Sequence, residues 1–301
     1  MIRDSHLPPD LRAWTKRALL RYGVAPGKRL GQHFLVDNKV LADIVATAQL
    51  TPEAHVLEVG GGLGVLTLEL TAHARRVVVV ELDRRLAAGL KKIAVGSDVL
   101  VVVEGDIIKV PAAELAHALG LFEVGSFSVA ANLPYEISGA FLQRFLWGDL
   151  VPTSLTLLLQ REVAERIAAK PGQLSLLGLA CQLKAEVRIV RHVPASAFWP
   201  PPRVESSLVR LDVKPPSELF QELGSQSFDL LWRLARIGFA AKRKLLLNNL
   251  SSVPPLSKAE LADVFTHMHI PLTARAQELS PAQWVELTRT YAAAAPGHGT
   301  E

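Results

Sequence analysis

The sequence predicts an α/β fold, a Rossmann-like sheet followed by a small all-helical domain, and three observations carry this prediction. An apolar segment at 55–59 runs directly into a cluster of glycines and then into a helical pattern. Further β-branched runs alternate with helical segments, as in right-handed βαβ units that bind ligands at the carboxyl ends of their strands. The last third of the chain is helical and basic, without strand signals.

The length and composition predict two packed domains. A chain of 301 residues, 49% hydrophobic and 21% charged, can bury a sizeable core and is not globally disordered. We place the boundary at the linker Pro215-Pro216-Ser217, so that residues 1–214 form the sheet domain and 215–301 the helical domain. The final ten residues, 292–301, are expected to be disordered. The net charge of +4 suits a phosphate-rich partner only if the basic residues cluster.

Cys181 is the only cysteine. An intramolecular disulfide and a thiolate zinc cluster are therefore excluded, and a reducing compartment is compatible with the chain. In its apolar surroundings Cys181 is expected to be a small core residue, and we predict no metal site. The first ten residues lack the apolar region of a signal peptide, and no apolar run is long enough to span a membrane. These features predict a cytoplasmic protein without membrane contact.

The N-terminal region predicts a basic helix, a loop and a second helix. Apolar residues recur at helical spacing before Gly23, interleaved with Arg12, Lys16, Arg17 and Arg21. This helix either faces a substrate or only packs on the main domain. The segment 28–37, which contains Gln32-His33-Phe34, is expected to be a loop before a helix at 39–48.

The stretch Val56–Leu66, VLEVGGGLGVL, predicts a strand, a glycine turn and a helix whose N-terminus points at a ligand. A dinucleotide fingerprint would require a third glycine at position 65, where Val65 stands. The pattern E-x-G-x-G-x-G is instead similar to the S-adenosylmethionine loop of methyltransferases. A plain tight turn is the alternative for this motif alone.

Two acidic residues follow the next predicted strands. Glu81 ends the strand 76–80 and precedes a helix at 82–93, and Asp106 follows the strand 99–103. A carboxylate at the position of Glu81 accepts hydrogen bonds from both hydroxyls of a ribose. Asp106 is placed to accept a hydrogen bond from an adenine amino group.

The tetrapeptide Asn132-Leu133-Pro134-Tyr135 follows the predicted strand 127–131 and is the most specific chemical signal in the chain. The exocyclic amine of adenine is a poor nucleophile because its lone pair is delocalised into the ring. The Asn132 side-chain carbonyl and the Leu133 backbone carbonyl would hold its N–H bonds and free the lone pair. Tyr135 would stack on the base, which is worth roughly 1–3 kcal/mol. An ordinary turn after a strand is the alternative.

Together these motifs resemble the ribosomal RNA adenine dimethyltransferases, which dimethylate two neighbouring adenines near the 3′ end of small-subunit rRNA. The resemblance runs from about residue 28 to 287. Its motifs are GQHFL (31–35), EVGGGLG (58–64), Glu81, GD (105–106), NLPY (132–135), LQREV (159–163), FWPPPRVES (198–206) and FAAKRK (239–244).

The resemblance also implies a cofactor, S-adenosylmethionine, and a set of contacts to it: His33, Leu35, Gly60, Gly62, Glu81, Asp106 and Asn132. Three residues depart from the pattern of the family. The first loop often has Asn where His33 stands, and the glycine turn commonly has proline in place of Gly61. The residue after the tetrapeptide is often Asn, whereas Glu136 adds a negative charge here.

The remaining segments complete the sheet and form the helical domain. We predict strands at 155–159, 186–190 and 207–213, the last two as candidates for an antiparallel pair, with a helix at 161–169 and a loop at 173–178. Phe198, in the rigid segment Phe198–Arg203, either binds the second face of a flipped adenine or lies in the core. The region 228–250 is expected to be helical, with two further helices around Leu261 and Trp284. Its basic residues would grip RNA phosphates or form a solvated face: Arg233, Arg236, Lys242, Arg243 and Lys244.

The function implied by the resemblance is transfer of two methyl groups to the N6 amine of each of two adjacent adenosines in the 3′-terminal hairpin loop of 16S rRNA. The partner would be 16S rRNA in a small-subunit precursor, and the enzyme would act as a monomer. Two other enzymes remain open, a resistance methyltransferase of large-subunit rRNA and a DNA adenine methyltransferase. Leu133 disfavours the former, which tends to have isoleucine there. A non-enzymatic assembly factor and a nicotinamide oxidoreductase are the alternatives from other classes.

Overall fold

The computed structural model describes residues 10–24, 32–121, 125–215, 223 and 227–294. The chain divides into two compact units. The first contains residues 1–164 and 186–213, and the second contains 165–185 and 214–301. The sequence-based boundary after residue 214 therefore omits the segment 165–185, which the structure groups with the C-terminal helices.

The first unit contains a seven-stranded sheet within the described residues, in the order β4-β3-β2-β5-β6-β9-β7. The strands from β4 to β6 are parallel, and β9 pairs with β6 in the antiparallel direction. A separate pair joins β1 and β8. The bounds are β1 Phe34–Leu35, β2 His55–Val59, β3 Arg76–Glu81, β4 Leu100–Glu104, β5 Ser128–Asn132, β6 Ser154–Gln160, β7 Ala185–Val193, β8 Phe198–Trp199 and β9 Ser206–Val213.

Helices follow the parallel strands in the βαβ pattern that the alternation predicts. Several begin at a side-chain cap, because Asp10, Asp37 and Asp83 each accept a hydrogen bond from a backbone N–H in the first turn. The helices of this part of the chain are α1 Leu11–Arg21, α2 Asn38–Ala48, α3 Val65–His73, α4 Arg84–Ala94, α5 Ala112–Leu119, α6 Ser138–Trp147 and α7 Arg161–Ile167.

The second unit is helical. Its helices are α8 Leu176–Lys184, α9 Ser227–Ala240, α10 Leu246–Leu250, α11 Lys258–His267 and α12 Pro281–Ala294. Trp284 and Tyr291 of α12 are fully buried. The five basic residues predicted to form a cluster, from Arg233 to Lys244, are all exposed.

The structure corrects three local predictions. The segment 28–37 is not a loop throughout, because Phe34–Leu35 forms strand β1 and pairs with β8. The segment 173–178 is not a loop throughout, because α8 begins at Leu176 with Ser175 as its N-cap. The region 228–250 is not one helix, because a turn separates α9 from α10 at 241–245, where three consecutive cations are exposed.

Of the predicted linker only Pro215 is described, and the predicted disordered tail is described only at 292–294, which is helical. Residues 1–9 and 28–31 also lie outside the described residues. No helix among those described is long and apolar enough to cross a membrane.

The core of the first unit lies between the sheet and its helices. The strands β2 and β3 are buried along almost their whole length, as their continuous apolar runs predict for a sheet covered on both faces. Phe198 is 1% exposed and belongs to this core together with Leu35, to which it is paired across β1 and β8.

Cys181 of the second unit is buried, as expected, and burial raises the pKa of its thiol to about 12.

The glycine turn after β2 is packed too tightly for a side chain at its second glycine. A Cβ at Gly61 would lie 2.5 Å from Cγ1 of Val79 and 2.9 Å from Cδ1 of Leu90. Real Cβ atoms do not approach other atoms so closely, so the branched side chain of Val79 leaves room only for glycine at position 61. The family that the sequence resembles commonly has proline at this position.

Replacing Gly61 with alanine should therefore destabilise the protein, by about 1–3 kcal/mol, because Val79 and Leu90 must shift. Gly139→Ala is the matched control. Gly139 is exposed within α6 and nothing lies within 4 Å of a Cβ built there, so alanine should stabilise by about 0.5–1 kcal/mol. Urea unfolding of the three proteins measures both effects, and equal stability of Gly61→Ala and the parent chain would contradict the packing argument.

Candidate active site

A cavity of about 270 Å³ opens at the carboxyl edge of the parallel strands. It brings together residues from every motif singled out in the first half of the sequence. The predicted site residues that line it are His33, Leu35, Gly60, Gly62, Glu81, Asp106, Asn132, Leu133 and Tyr135. Phe198 is not among the lining residues.

The glycine turn forms one wall of the cavity. Gly60 and Gly62 adopt positive φ angles of 72° and 56°, which side chains rarely tolerate. The Gly62 amide donates a 2.8 Å hydrogen bond to Oε2 of Glu81 at the end of β3. Oε1 of the same carboxylate accepts from the Asp83 amide at 2.9 Å. These two bonds fix the Glu81 side chain, and each oxygen retains a second lone pair that can accept from a ligand.

Glu81 and Asp106 differ in burial. Glu81 is buried, and desolvation raises the pKa of its carboxyl despite its backbone hydrogen bonds. Asp106 is half-buried and its Oδ1 accepts a 2.9 Å hydrogen bond from the Ile108 amide. The Arg144 guanidinium on α6 donates to the carbonyls of Ile108 and Val110, and so it ties the loop of Asp106 to the helix that follows the tetrapeptide.

Asn132 ends β5, and its side chain is oriented by the first loop. Its Nδ2 donates a 3.1 Å hydrogen bond to the backbone carbonyl of His33. Because a carbonyl can only accept, the amide nitrogen must face His33 and Oδ1 is the end left to accept from a ligand. The Leu133 amide donates to the Leu158 carbonyl at 3.3 Å, and the Leu133 side chain is buried at the wall of the cavity.

Tyr135 and His33 form one aromatic part of the wall, to which Phe34 also contributes. The ring centroids of Tyr135 and His33 are 5.9 Å apart with an interplanar angle of 29°. The Tyr135 hydroxyl is 2.7 Å from Oγ of Ser206, and burial raises the pKa of the phenol. Nδ1 of His33 lies 2.7 Å from the Pro200 carbonyl, to which it donates. Glu136 is exposed at the edge of the cavity.

Glu58 is a site residue to which the sequence motifs assign no role. It lines the cavity, is 1% exposed, and its Oε2 has no hydrogen-bond partner among the described residues. The Thr67 hydroxyl faces it without meeting hydrogen-bond geometry. Burial, reinforced by the nearby Glu81, raises the pKa of Glu58 to about 8. The sequence could have indicated Glu58 as a candidate site residue, because it lies within the apolar strand VLEV and a carboxyl buried inside a strand needs a partner.

The cavity suits an S-adenosylmethionine-like ligand. The unpartnered Oε2 of Glu58 can accept from a cationic group, and the side-chain-free turn at Gly60 and Gly62 allows close approach of a ligand. The Glu81 and Asp106 carboxylates line the same cavity and offer acceptors for O–H and N–H donors of a ligand. The described residues contain no group of three or more His, Cys, Asp or Glu side chains that could hold a metal ion.

Comparison with known proteins gives consistent matches over most of the chain. The family model "Ribosomal RNA adenine dimethylase" matches residues 26–293. The "Ribosomal RNA small subunit methyltransferase A" of Dehalococcoides mccartyi (strain CBDB1) is 37% identical over 284 residues, 94% of each chain. The protein of the same name from Prochlorococcus marinus (strain MIT 9313) is 40% identical over 270 residues, 87% of this chain and 92% of that protein.

Two solved structures share the fold over most of their length. A dimethyladenosine transferase from Plasmodium falciparum matches with a TM-score of 0.72 and 26% identity, over 87% of this chain and 98% of that one. The 23S rRNA methyltransferase ErmE matches with a TM-score of 0.69 and 26% identity, over 86% and 99%. These matches agree with the predicted α/β methyltransferase fold.

The raised pKa of Glu58 predicts that the protein becomes less stable between about pH 5 and pH 8. In this interval the folded protein keeps the carboxyl proton, whereas in the unfolded chain the carboxyl ionises near its ordinary value of 4.5. The folded state therefore binds more protons, and stability falls as pH rises, by at most about 1.4 kcal/mol per pH unit. Glu58→Gln, which is neutral at every pH, should flatten this decline.

Urea unfolding at a series of pH values tests this expectation. Glu81, whose pKa is also raised, should leave a smaller residual slope in the Glu58→Gln protein. Glu53→Gln, at an exposed position before β2, is the matched control and should keep the slope of the parent chain. Equal slopes for all three proteins would show that Glu58 does not hold a proton in the folded state.

Proposed function

Because the chain belongs to the ribosomal RNA adenine dimethylase family and is an rRNA adenine dimethyltransferase, we propose that it dimethylates N6 of two adjacent adenosines in the 3′-terminal hairpin loop of 16S rRNA. The observation that carries the proposal is the geometry at Asn132. Its amide is turned by the His33 carbonyl so that Oδ1 is left to accept from the target amine. The substrate would be 16S rRNA in a small-subunit precursor, acted on by a monomer in the cytoplasm.

The family implies use of S-adenosylmethionine, which supplies an electrophilic methyl group on a sulfonium when bound. We propose that the glycine turn at Gly60 and Gly62 accommodates it closely, and that Glu81 accepts from its ribose. Asp106 would accept from its adenine amino group. The loop residues His33 and Leu35, together with Asn132, would close the side of the site next to the target base. Glu58 adds a buried acceptor for a cationic group.

The chain's own residues would prepare the target amine for attack. Asn132 Oδ1 and the Leu133 carbonyl would accept the two N–H bonds of adenine N6, which favours a tetrahedral nitrogen with a free lone pair. Tyr135, held by Ser206 and stacked on His33, would support the base from one face. No strong general base is needed, because the nitrogen becomes acidic once it is methylated. Positioning of the amine against the methyl donor would supply most of the rate.

A target inside a stack cannot reach this cavity, so the adenosine must be splayed from a loop or flipped. Phe198 is the residue predicted for the second face of the base. Its side chain is buried in the core beside Leu35, so this role would require the segment 198–203 to move. The exposed basic residues of the second unit, from Arg233 to Lys244, would contribute salt-dependent contacts to RNA phosphates.

The fold similarity to a 23S rRNA methyltransferase keeps one alternative substrate in view. Mass spectrometry of rRNA from cells lacking this protein separates the two. We expect the paired N6,N6-dimethyladenosines to disappear from the 3′ end of 16S rRNA and 23S rRNA to be unchanged. Loss of an adenine modification from 23S rRNA alone would overturn the proposed substrate.

Asn132→Ala should lower methyl transfer to small subunits from such cells by on the order of 100-fold or more, because one of the two acceptors for the amine is lost. Asn248→Ala, at an exposed position of α10, is the control and should retain full activity. Incorporation of labelled methyl groups into the rRNA measures the effect. A role only in assembly would survive the Asn132 substitution with no change in subunit maturation.

Two substitutions of Tyr135 distinguish the contribution of its ring, which would stack on the target base, from that of its hydroxyl, which bonds to Ser206. Tyr135→Phe keeps the ring and loses only the bond to Ser206, so its kcat/KM should remain within a few fold of the parent enzyme. Tyr135→Ala removes the ring and should lower kcat/KM by roughly 5- to 150-fold, which corresponds to about 1–3 kcal/mol of base stacking. Equal losses in the two variants would show that the hydroxyl, not the ring, is what the reaction requires.

A further inference from the structure

The N-terminal helix α1 carries a cationic outer face. Its exposed side chains are Arg12, Lys16, Arg17, Leu20 and Arg21, and the helix contains no acidic residue. None of the ion pairs formed within the described part of the chain includes one of these four cations. Asp10, the N-cap, is occupied by the Ala13 amide. Arg84 and Lys91 of α4 pair with Glu104, whereas the cations of α1 face solvent without an ion pair in the described part of the chain.

The inner face of α1 holds this charge next to the candidate active site. Ala18 and Leu19 pack in one cluster with Leu63 and Leu86, both of which line the cavity. The Arg85 guanidinium donates a 3.0 Å hydrogen bond to the carbonyl of Gly23, just after the helix. The helix therefore has a fixed position against the cavity wall.

Two side chains also connect α1 to residues 196–199, which directly precede the three prolines of the rigid segment 198–203. Arg12 donates a 2.6 Å hydrogen bond to the Ser196 carbonyl. Nζ of Lys16 lies 5.6 Å from the ring centroid of Trp199, in cation–π geometry. Arg17 and Arg21 have no such partner among the described residues and remain available for an external anion.

We propose that the outer face of α1 binds the phosphate backbone of the RNA that delivers its adenosine to the cavity. The proposal rests on the proposed function, since it takes the substrate to be RNA. An RNA strand is the occupant that the charge pattern favours, because Arg17 and Arg21 lie one turn apart on the exposed face of a helix that contains no acidic residue, and neither forms an ion pair within the described residues. The family model begins at residue 26, so this helix precedes the segment on which that match depends. Phosphate contacts position the RNA without reading its sequence.

The salt dependence of binding tests this surface. The probe is the small ribosomal subunit from cells lacking the protein, titrated at several KCl concentrations and fixed Mg²⁺. For the double variant Arg17→Gln/Arg21→Gln we expect weaker binding and a slope of log Kd against log KCl that is lower by roughly 1.5, because each lost phosphate contact removes about 0.7–0.9 from the slope. At saturating subunits, kcat should equal that of the parent enzyme, since neither residue lines the cavity.

The matched control is Arg75→Gln/Lys92→Gln, which removes two exposed charges elsewhere on the sheet domain, just before β3 and near the end of α4. It should keep the slope of the parent enzyme, and thermal melts should show both double variants folded. Equal slopes for the α1 and control variants, with normal methylation by the parent enzyme, would overturn the proposal for α1. Absence of methylation by the parent enzyme would instead refute the proposed function.

Discussion

The hydrogen bond from Asn132 Nδ2 to the His33 carbonyl is the interaction on which the proposed chemistry of the cavity depends. An amide side chain presents a donor at one end and an acceptor at the other, and a target amine needs acceptors. The carbonyl resolves this ambiguity because it can engage only the nitrogen. His33 in turn is held by the Pro200 carbonyl and stacks on Tyr135, so one short loop orients the acceptor and supports the stacking ring.

The acidic residues of the cavity are placed by the same sheet edge. Glu58 and Glu81 lie in neighbouring parallel strands, and Asp106 follows the next one, so their carboxyl groups converge where the strands end. Burial of several carboxyls in one place is costly, which is why the pKa values of Glu58 and Glu81 are raised. A cationic ligand lowers that cost by favouring the ionised forms. The acidic wall is therefore unfavourable for anions and suits the positively charged cofactor that we propose.

The sheet and the cavity could be predicted from local patterns, whereas features that depend on tertiary packing could not. The strands β2 and β3 have continuous apolar runs because both faces are covered, and the glycines and acids that end them converge for topological reasons. From the local pattern, Gly178 indicates a loop, but it lies in the first turns of helix α8. A Cβ at Gly178 would lie 2.6 Å from the Arg166 carbonyl oxygen, so close packing, not a turn, requires glycine there. Two further features likewise depend on residues distant in the sequence: the burial of the Phe198 side chain, and the lack of a hydrogen-bond partner for Glu58 Oε2 within the described residues.

Two solved proteins that share this fold show that the fold alone does not determine which RNA is the substrate. With TM-scores of 0.72 and 0.69 both share the architecture, yet one is named a dimethyladenosine transferase and the other a 23S rRNA methyltransferase. A cavity that grips an adenine amine cannot distinguish one exposed adenosine from another, because every adenosine offers the same amine and the same ring faces. Discrimination must therefore arise from the shape of the surrounding RNA, read at the protein surface beyond the cavity. Basic helix faces supply affinity for any phosphate backbone, and only their spacing relative to the cavity can turn that affinity into a preference for one RNA fold.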